Sequence, residues 1–178
     1  MPIFPLTFLG LLGILWEKVV TSGVLFVTFR GHAYRSLDGK GRLMLPPEFR
    51  ETIVAQDDQG RVMLTNFDGC VVGYPLPEWE EIEASFNKIN MLNRKLRDFQ
   101  RFFISGAVEL TLDKQGRVLL PPHLRNYGGL NKDVVLAGVG RKFEIWDQAK
   151  FEETRQQMED SVDEVMDELV QGGYELRI

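Results

Sequence analysis

A chain of 178 residues can bury one sizeable core or two small ones. Its 44% hydrophobic and 26% charged residues are the proportions of an ordinary folded protein and exclude a disordered or low-complexity chain. A single cysteine excludes an internal disulfide framework, and two histidines leave no Cys/His cluster at metal-ligand spacing, so no metal or cofactor is expected. The net charge of −5 argues by itself against nucleic acid as a partner, but the charge is segregated. Residues 28–50 carry +3, residues 87–101 carry +4, and residues 148–178 carry −6. Such asymmetry is more informative than the sum.

Residues 1–27 read as an extension foreign to the native protein. Met1–Trp16 is apolar, yet no Lys or Arg precedes the run and no small-x-small cleavage site closes it. Pro2, Pro5, Gly10 and Gly13 interrupt a stretch already too short for a span of about 20 residues. The expectation is that translation begins near Val27, that upstream DNA has been read as protein, and that no membrane is involved.

Residues 28–86 form a first unit. His32–Leu37 is expected as a strand, followed by the polar turn Asp38-Gly-Lys-Gly-Arg42, in which Gly41 takes positive φ. Arg42–Leu45 returns as a second strand, so the pair reads as a hairpin. Pro46 and Pro47 end the strand and suit the first turn of a helix over Glu48–Val54. Strands over Val62–Thr65 and Cys70–Tyr74 follow, joined by the turn Asn66-Phe-Asp-Gly69. Pro77 opens a helix with Trp79, Ile82 and Phe86 on one face. A basic helical linker occupies 87–102.

Residues 103–147 repeat the plan. Leu112–Arg125 matches Leu37–Arg50 without a gap, identical at eight of fourteen positions, where unrelated segments would share about one. The strand Ala107–Leu112, the turn at Asp113 with Gly116, the strand Arg117–Leu120, Pro121-Pro122 and the helix His123–Tyr127 all have first-unit counterparts. Val134–Ala137 and Phe143–Trp146 complete the copy. The expected fold class is α+β: two β-β-α-β-β units that bury each other's hairpins in one pseudo-symmetric domain. Residues 148–178 form an acidic helix and tail, with a narrow stripe of Phe151, Met158, Val162, Val165 and Leu169 that suits docking on the parent domain or a sister subunit.

Phe29-Arg-Gly31, Leu37-Asp-x-x-Gly-Arg42, Phe99-Gln-Arg-Phe-Phe-x-Ser-Gly-Ala107 and Leu112-Asp-Lys-Gln-Gly-Arg117 resemble the MraZ family of bacterial transcriptional regulators. The resemblance covers about residues 28–172. It implies two SpoVT-AbrB-type swapped-hairpin units in a β-barrel-like domain with flanking helices. It further implies double-stranded DNA as partner, short tandem repeats upstream of the division and cell-wall gene cluster as target, ring-like homo-oligomers, and a cytoplasmic, nucleoid-associated protein.

Arg42 and Arg117 are the leading DNA-binding candidates, because a guanidinium on a tight turn can pair bidentately with guanine O6 and N7 or grip phosphate. Lys40 and Lys114 are expected phosphate contacts, with Arg35 behind them. Asp38 and Asp113, with Gly41 and Gly116, are expected to hold the turns and orient the arginines. The residues alone leave open a plain surface salt bridge stapling each turn, worth roughly 0–1 kcal/mol. Arg50 and Arg125 also repeat, and either a solvated helix face or a functional role fits them. His32 reads as a strand-surface residue rather than a ligand, His123 replaces Glu48 in the copy so that neither has a shared role, and no catalytic residue is expected. An antitoxin-like protein-interaction module on the same fold is the competing function.

Overall fold

The computed structural model describes residues 28–88 and 93–173, so the segment read as a foreign extension lies outside the described residues. In chain order the elements are β1 (His32–Ser36), β2 (Arg42–Met44), α1 (Pro47–Gln56), β3 (Arg61–Phe67), β4 (Cys70–Pro75), α2 (Leu76–Phe86) and α3 (Arg94–Ser105). The second unit follows as β5 (Val108–Thr111), β6 (Arg117–Leu119), α4 (Pro122–Gly128), β7 (Asp133–Val139) and β8 (Lys142–Asp147), then α5 (Gln148–Gln171). Each unit is β-β-α-β-β, and the class is α+β. The proline pairs act as the sequence suggests, Pro46 and Pro121 sitting at helix N-caps with Pro47 and Pro122 opening α1 and α4.

The first two strands of each unit do not pair as the hairpin expected. The chain reverses at the turn, but each strand finds its ladder in the other unit. A six-stranded antiparallel sheet runs β1-β7-β8-β4-β3-β5, and a separate two-stranded antiparallel ribbon joins β2 to β6. β1 of the first unit thus borders β7 of the second, and β5 of the second borders β3 of the first. The barrel-like closure is also absent: β1 and β5 remain the edges of an open sheet. Both are short, and each chain segment leaves the sheet for the ribbon after one crossing, so among the described residues no strand remains to bridge the edges.

Alternation along the strands divides the interior in two. On β3, Val62 and Leu64 face a core that includes Leu43, Leu45, Val118 and Leu120 around the ribbon, with Phe49 and Leu124 from α1 and α4. Met63 and Phe67 face the other way, toward an aromatic cluster of Trp79, Phe86 and Phe103 supplied by α2 and α3. The β3–β4 connection is tighter than the four-residue turn expected, because Phe67 still pairs with Cys70 and only Asp68-Gly69 lie between them. The basic linker helix starts later than expected, at Arg94, where the Asn93 side chain caps it by accepting from the Lys95 amide, and runs to Ser105. Among the described residues no helix is long and apolar enough to cross a membrane.

Candidate nucleic-acid interface

Each Asp-x-x-Gly-Arg turn is closed by its own aspartate. Asp38 Oδ1 accepts hydrogen bonds from the amides of Lys40 and Arg42, both at 2.9 Å. Asp113 Oδ1 does the same for Gln115 and Arg117, again at 2.9 Å. The Arg42 amide hydrogen bond, with side-chain support from the same arginine, pulls the Asp38 carboxyl down to about 2. For Asp113 the Arg117 guanidinium is the largest cause, and its pKa also falls to about 2. Gly41 and Gly116 sit at φ of +81° and +76°, a region costly for any residue with a Cβ. Their carbonyls accept from the other unit, Gly41 from the Leu120 amide at 3.0 Å and Gly116 from the Leu45 amide at 3.1 Å. The turns are therefore stitched across the pseudo-symmetry axis rather than within one repeat.

The ribbon decides where the arginines lie. In its register Arg42 stands opposite Leu119, Leu43 opposite Val118, and Met44 opposite Arg117. Leu43 and Val118 point into the core, so Arg42, Met44, Arg117 and Leu119 share the outer face, with the two arginines at diagonal corners. Met44 and Leu119 between them are 39% and 55% exposed. An offset of two residues along one strand and one step across places the arginine Cα atoms about 8–9 Å apart.

The guanidiniums are aimed but not used up. Arg42 Nε meets Asp38 Oδ2 at 2.5 Å, which leaves both terminal nitrogens without a partner among the described residues. Asp113 Oδ2 takes Nε and Nη2 of Arg117 at 2.8 and 2.7 Å and leaves Nη1. Such a pair restricts the side chain before any ligand arrives, so less conformational entropy is lost on binding.

Lys40 and Lys114 are exposed on the two turns. Arg35 is not brought to them: it lies on β1 in the six-stranded sheet, with Nη1 donating to the Tyr34 carbonyl at 2.8 Å. Arg50 and Arg125 have a cross-unit role that the sequence did not reveal. A Cβ on Gly116 would stand 2.1 Å from Arg50 Cδ, and one on Gly41 would stand 3.0 Å from Arg125 Cζ. Each arginine from one unit's helix therefore packs over the glycine turn of the other. The repetition of both arginines was the available signal.

A third Asp-x-x-Gly-Arg segment, Asp57-Asp-Gln-Gly-Arg61, was also missed. Asp57 accepts from the Arg61 amide at 2.8 Å and pairs with its Nη2 at 2.7 Å, and Gly60 has φ of +65°. This copy joins α1 to β3 of the six-stranded sheet rather than to a ribbon strand, and its Gly60 carbonyl accepts from the Leu112 amide at 2.9 Å.

Comparison with known proteins agrees with this architecture. The family model described as "MraZ protein, putative antitoxin-like" matches twice, over residues 28–102 and 103–172. The chain is 59% identical over 150 residues to a protein of Solidesulfovibrio magneticus, covering 84% of this chain and 99% of that one. Relatives in Nitratidesulfovibrio vulgaris Hildenborough and Maridesulfovibrio salexigens are 52% and 50% identical, each covering 83% of this chain and 97% of its own length. All three carry the name transcriptional regulator MraZ.

Proposed function

The chain belongs to the MraZ family, and from that premise we propose that it is a sequence-specific DNA-binding transcriptional regulator whose β2–β6 ribbon enters the major groove. One observation carries the reading: Arg42 and Arg117 occupy diagonal corners of the exposed face of a two-stranded ribbon. B-DNA's major groove admits such a ribbon, and an arginine there pairs bidentately with guanine O6 and N7. A separation of about 8–9 Å spans between two and three base-pair steps of about 3.4 Å. Met44 and Leu119 between the arginines offer apolar contact to thymine methyl groups. Lys40 and Lys114 hold phosphates at the two ends of the ribbon, while Arg35, set back on β1, is at most a contact to flanking phosphate. Asp38, Asp113, Gly41 and Gly116 shape the turns and orient the arginines without touching bases.

The targets in this reading are short tandem repeats upstream of the division and cell-wall gene cluster. One ribbon offers only a few contacts, which is weak at physiological salt. A ring-like homo-oligomer on tandem repeats multiplies this through effective concentration, by about 10²–10⁴. The protein then works in the cytoplasm, on the nucleoid.

Gel shifts with Arg42→Ala and Arg117→Ala, on probes carrying one, two and three repeats, test the proposal. Loss of binding in each variant and rising affinity with repeat number are expected. Undiminished binding by both variants contradicts it. An antitoxin-like interaction module remains the second reading, favoured by the exposed apolar stripe of α5. Under that reading both variants keep their protein partner and no repeat-specific DNA complex forms.

A further inference from the structure

Two helices at different ends of the sheet carry opposite charge and uncovered apolar side chains. α5 has no buried residue along its 24 positions. Only its start is docked: Phe151 packs on His32 with ring centroids 5.7 Å apart, and Glu152 accepts from the Tyr34 hydroxyl, both on the edge strand β1. Beyond that, Met158 and Val162 of the stripe are 49% and 47% exposed, while Val165 and Leu169 are half-buried. From residue 156 to residue 171 this helix bears six acids and no Lys or Arg.

α3 is the complement. It lies against β3, next to the opposite edge strand β5, where Thr65 Oγ1 donates to the Phe103 carbonyl at 2.6 Å. Arg94, Lys95, Arg97 and Arg101 against Asp98 give it a net +3. Leu96, Phe99 and Phe102, spaced by three, keep 38%, 40% and 42% of their surface exposed, although Phe99 packs one face on Phe67, Phe86 and Phe103 and Phe102 packs on Tyr127. A helix with uncovered apolar residues rimmed by charges of one sign selects a partner helix of the other sign.

We propose that the distal half of α5 docks on α3 of a second copy of this chain. Because the two surfaces differ and sit toward opposite edges of the sheet, the contact is heterologous, and repeating it gives a closed ring or an open filament. The inference rests on the oligomeric regulator proposed above and names the surfaces that build it. It requires no residue of the ribbon, so assembly and DNA reading are separable.

Charge exchange followed by light scattering tests the contact. Glu164→Lys with Glu168→Lys on α5 is expected to dissociate the full-length assembly to monomers, and so is Lys95→Glu with Arg101→Glu on α3. An equimolar mixture of the two variants, or all four changes in one chain, is expected to restore it, since each altered helix then meets an altered partner. An α3 variant that stays fully assembled while the α5 variant falls apart indicates α5 pairing with itself and overturns the proposal. Failure of the mixture to reassemble, or a monomeric wild type, overturns it as well. The monomeric α5 variant keeps wild-type affinity for a single-repeat probe if the ribbon reads DNA. Loss there, with charge rescue of assembly intact, would count against the functional reading alone.

Discussion

The turn at Asp38 and the turn at Asp57 share Asp, Gly and Arg at the same spacing, the same carboxylate-to-amide hydrogen bonds and the same positive-φ glycine. They differ in what they join. The first hands the chain to β2, in the exposed ribbon, while the second hands it to β3, inside the six-stranded sheet. There Arg61 pairs with Thr111 of the edge strand β5, and Asp57 grips it through Nε as well as Nη2. The five-residue motif is thus a way of making and bracing a turn. Only where two copies meet across the ribbon does it bring two guanidiniums onto one outer face, the face proposed above to meet DNA. A search for the motif alone would have scored all three sites equally.

Removing the arginines breaks this comparison most sharply. Arg42→Ala and Arg117→Ala are each expected to cost about 1–3 kcal/mol of specific DNA binding, the worth of a bidentate base contact. Arg61→Ala is expected to leave repeat binding unchanged in fluorescence anisotropy, and an equal loss there would erase the distinction drawn between the sites.

The glycines separate the turns by packing. Gly60→Ala carries the left-handed penalty of about 1–2 kcal/mol, but the nearest atom to the new Cβ, on the Leu112 side chain, lies at an ordinary contact distance of 3.5 Å. Gly116→Ala carries the same penalty and must also displace Arg50, whose Cδ would lie 2.1 Å from the new Cβ. Urea denaturation is expected to show a larger loss for Gly116→Ala than for Gly60→Ala.

The lysines should act more mildly. Lys40→Ala and Lys114→Ala are each expected to weaken binding uniformly across sequences and to lower the slope of log affinity against log salt by about 1. An unchanged slope would remove them from the phosphate interface.

The smallest effect is on acidity. Asp38 and Asp113 have folded pKa values near 2, below the ordinary carboxylate value of 3.8. Depressed carboxyls stabilise the fold when ionised, so their contribution is complete above the unfolded pKa and declines as pH falls toward 2. Carboxyl titration by NMR should find both groups still ionised at pH 3, and Asp57, also shifted downward, should follow the same direction.

Much of the fold was legible because its signals are local. The repeat, the proline-started helices and the full extent of α5 follow from residues adjacent in sequence. The strand partners were not legible. Arg42–Leu45 is a short apolar run after a turn, which states that the chain reverses but not that its ladder lies 75 residues away in the duplicate. The Asp57 turn is not shared by the two units, because Lys132-Asp133 stands in the second unit where the first has Gly60-Arg61. Arg50 and Arg125 were visible as a repeated pair, but their targets, the opposite unit's glycines, exist only once the ribbon has formed.

Methylation interference at guanine N7 tests the ribbon most directly, because it reports which protein group approaches which base. Wild-type protein is expected to be blocked by methylation at discrete guanines in each repeat, with one position losing its effect in Arg42→Ala and a different one in Arg117→Ala. An interference pattern that is unchanged in both variants, or that contains no guanine, would contradict base reading by the paired arginines.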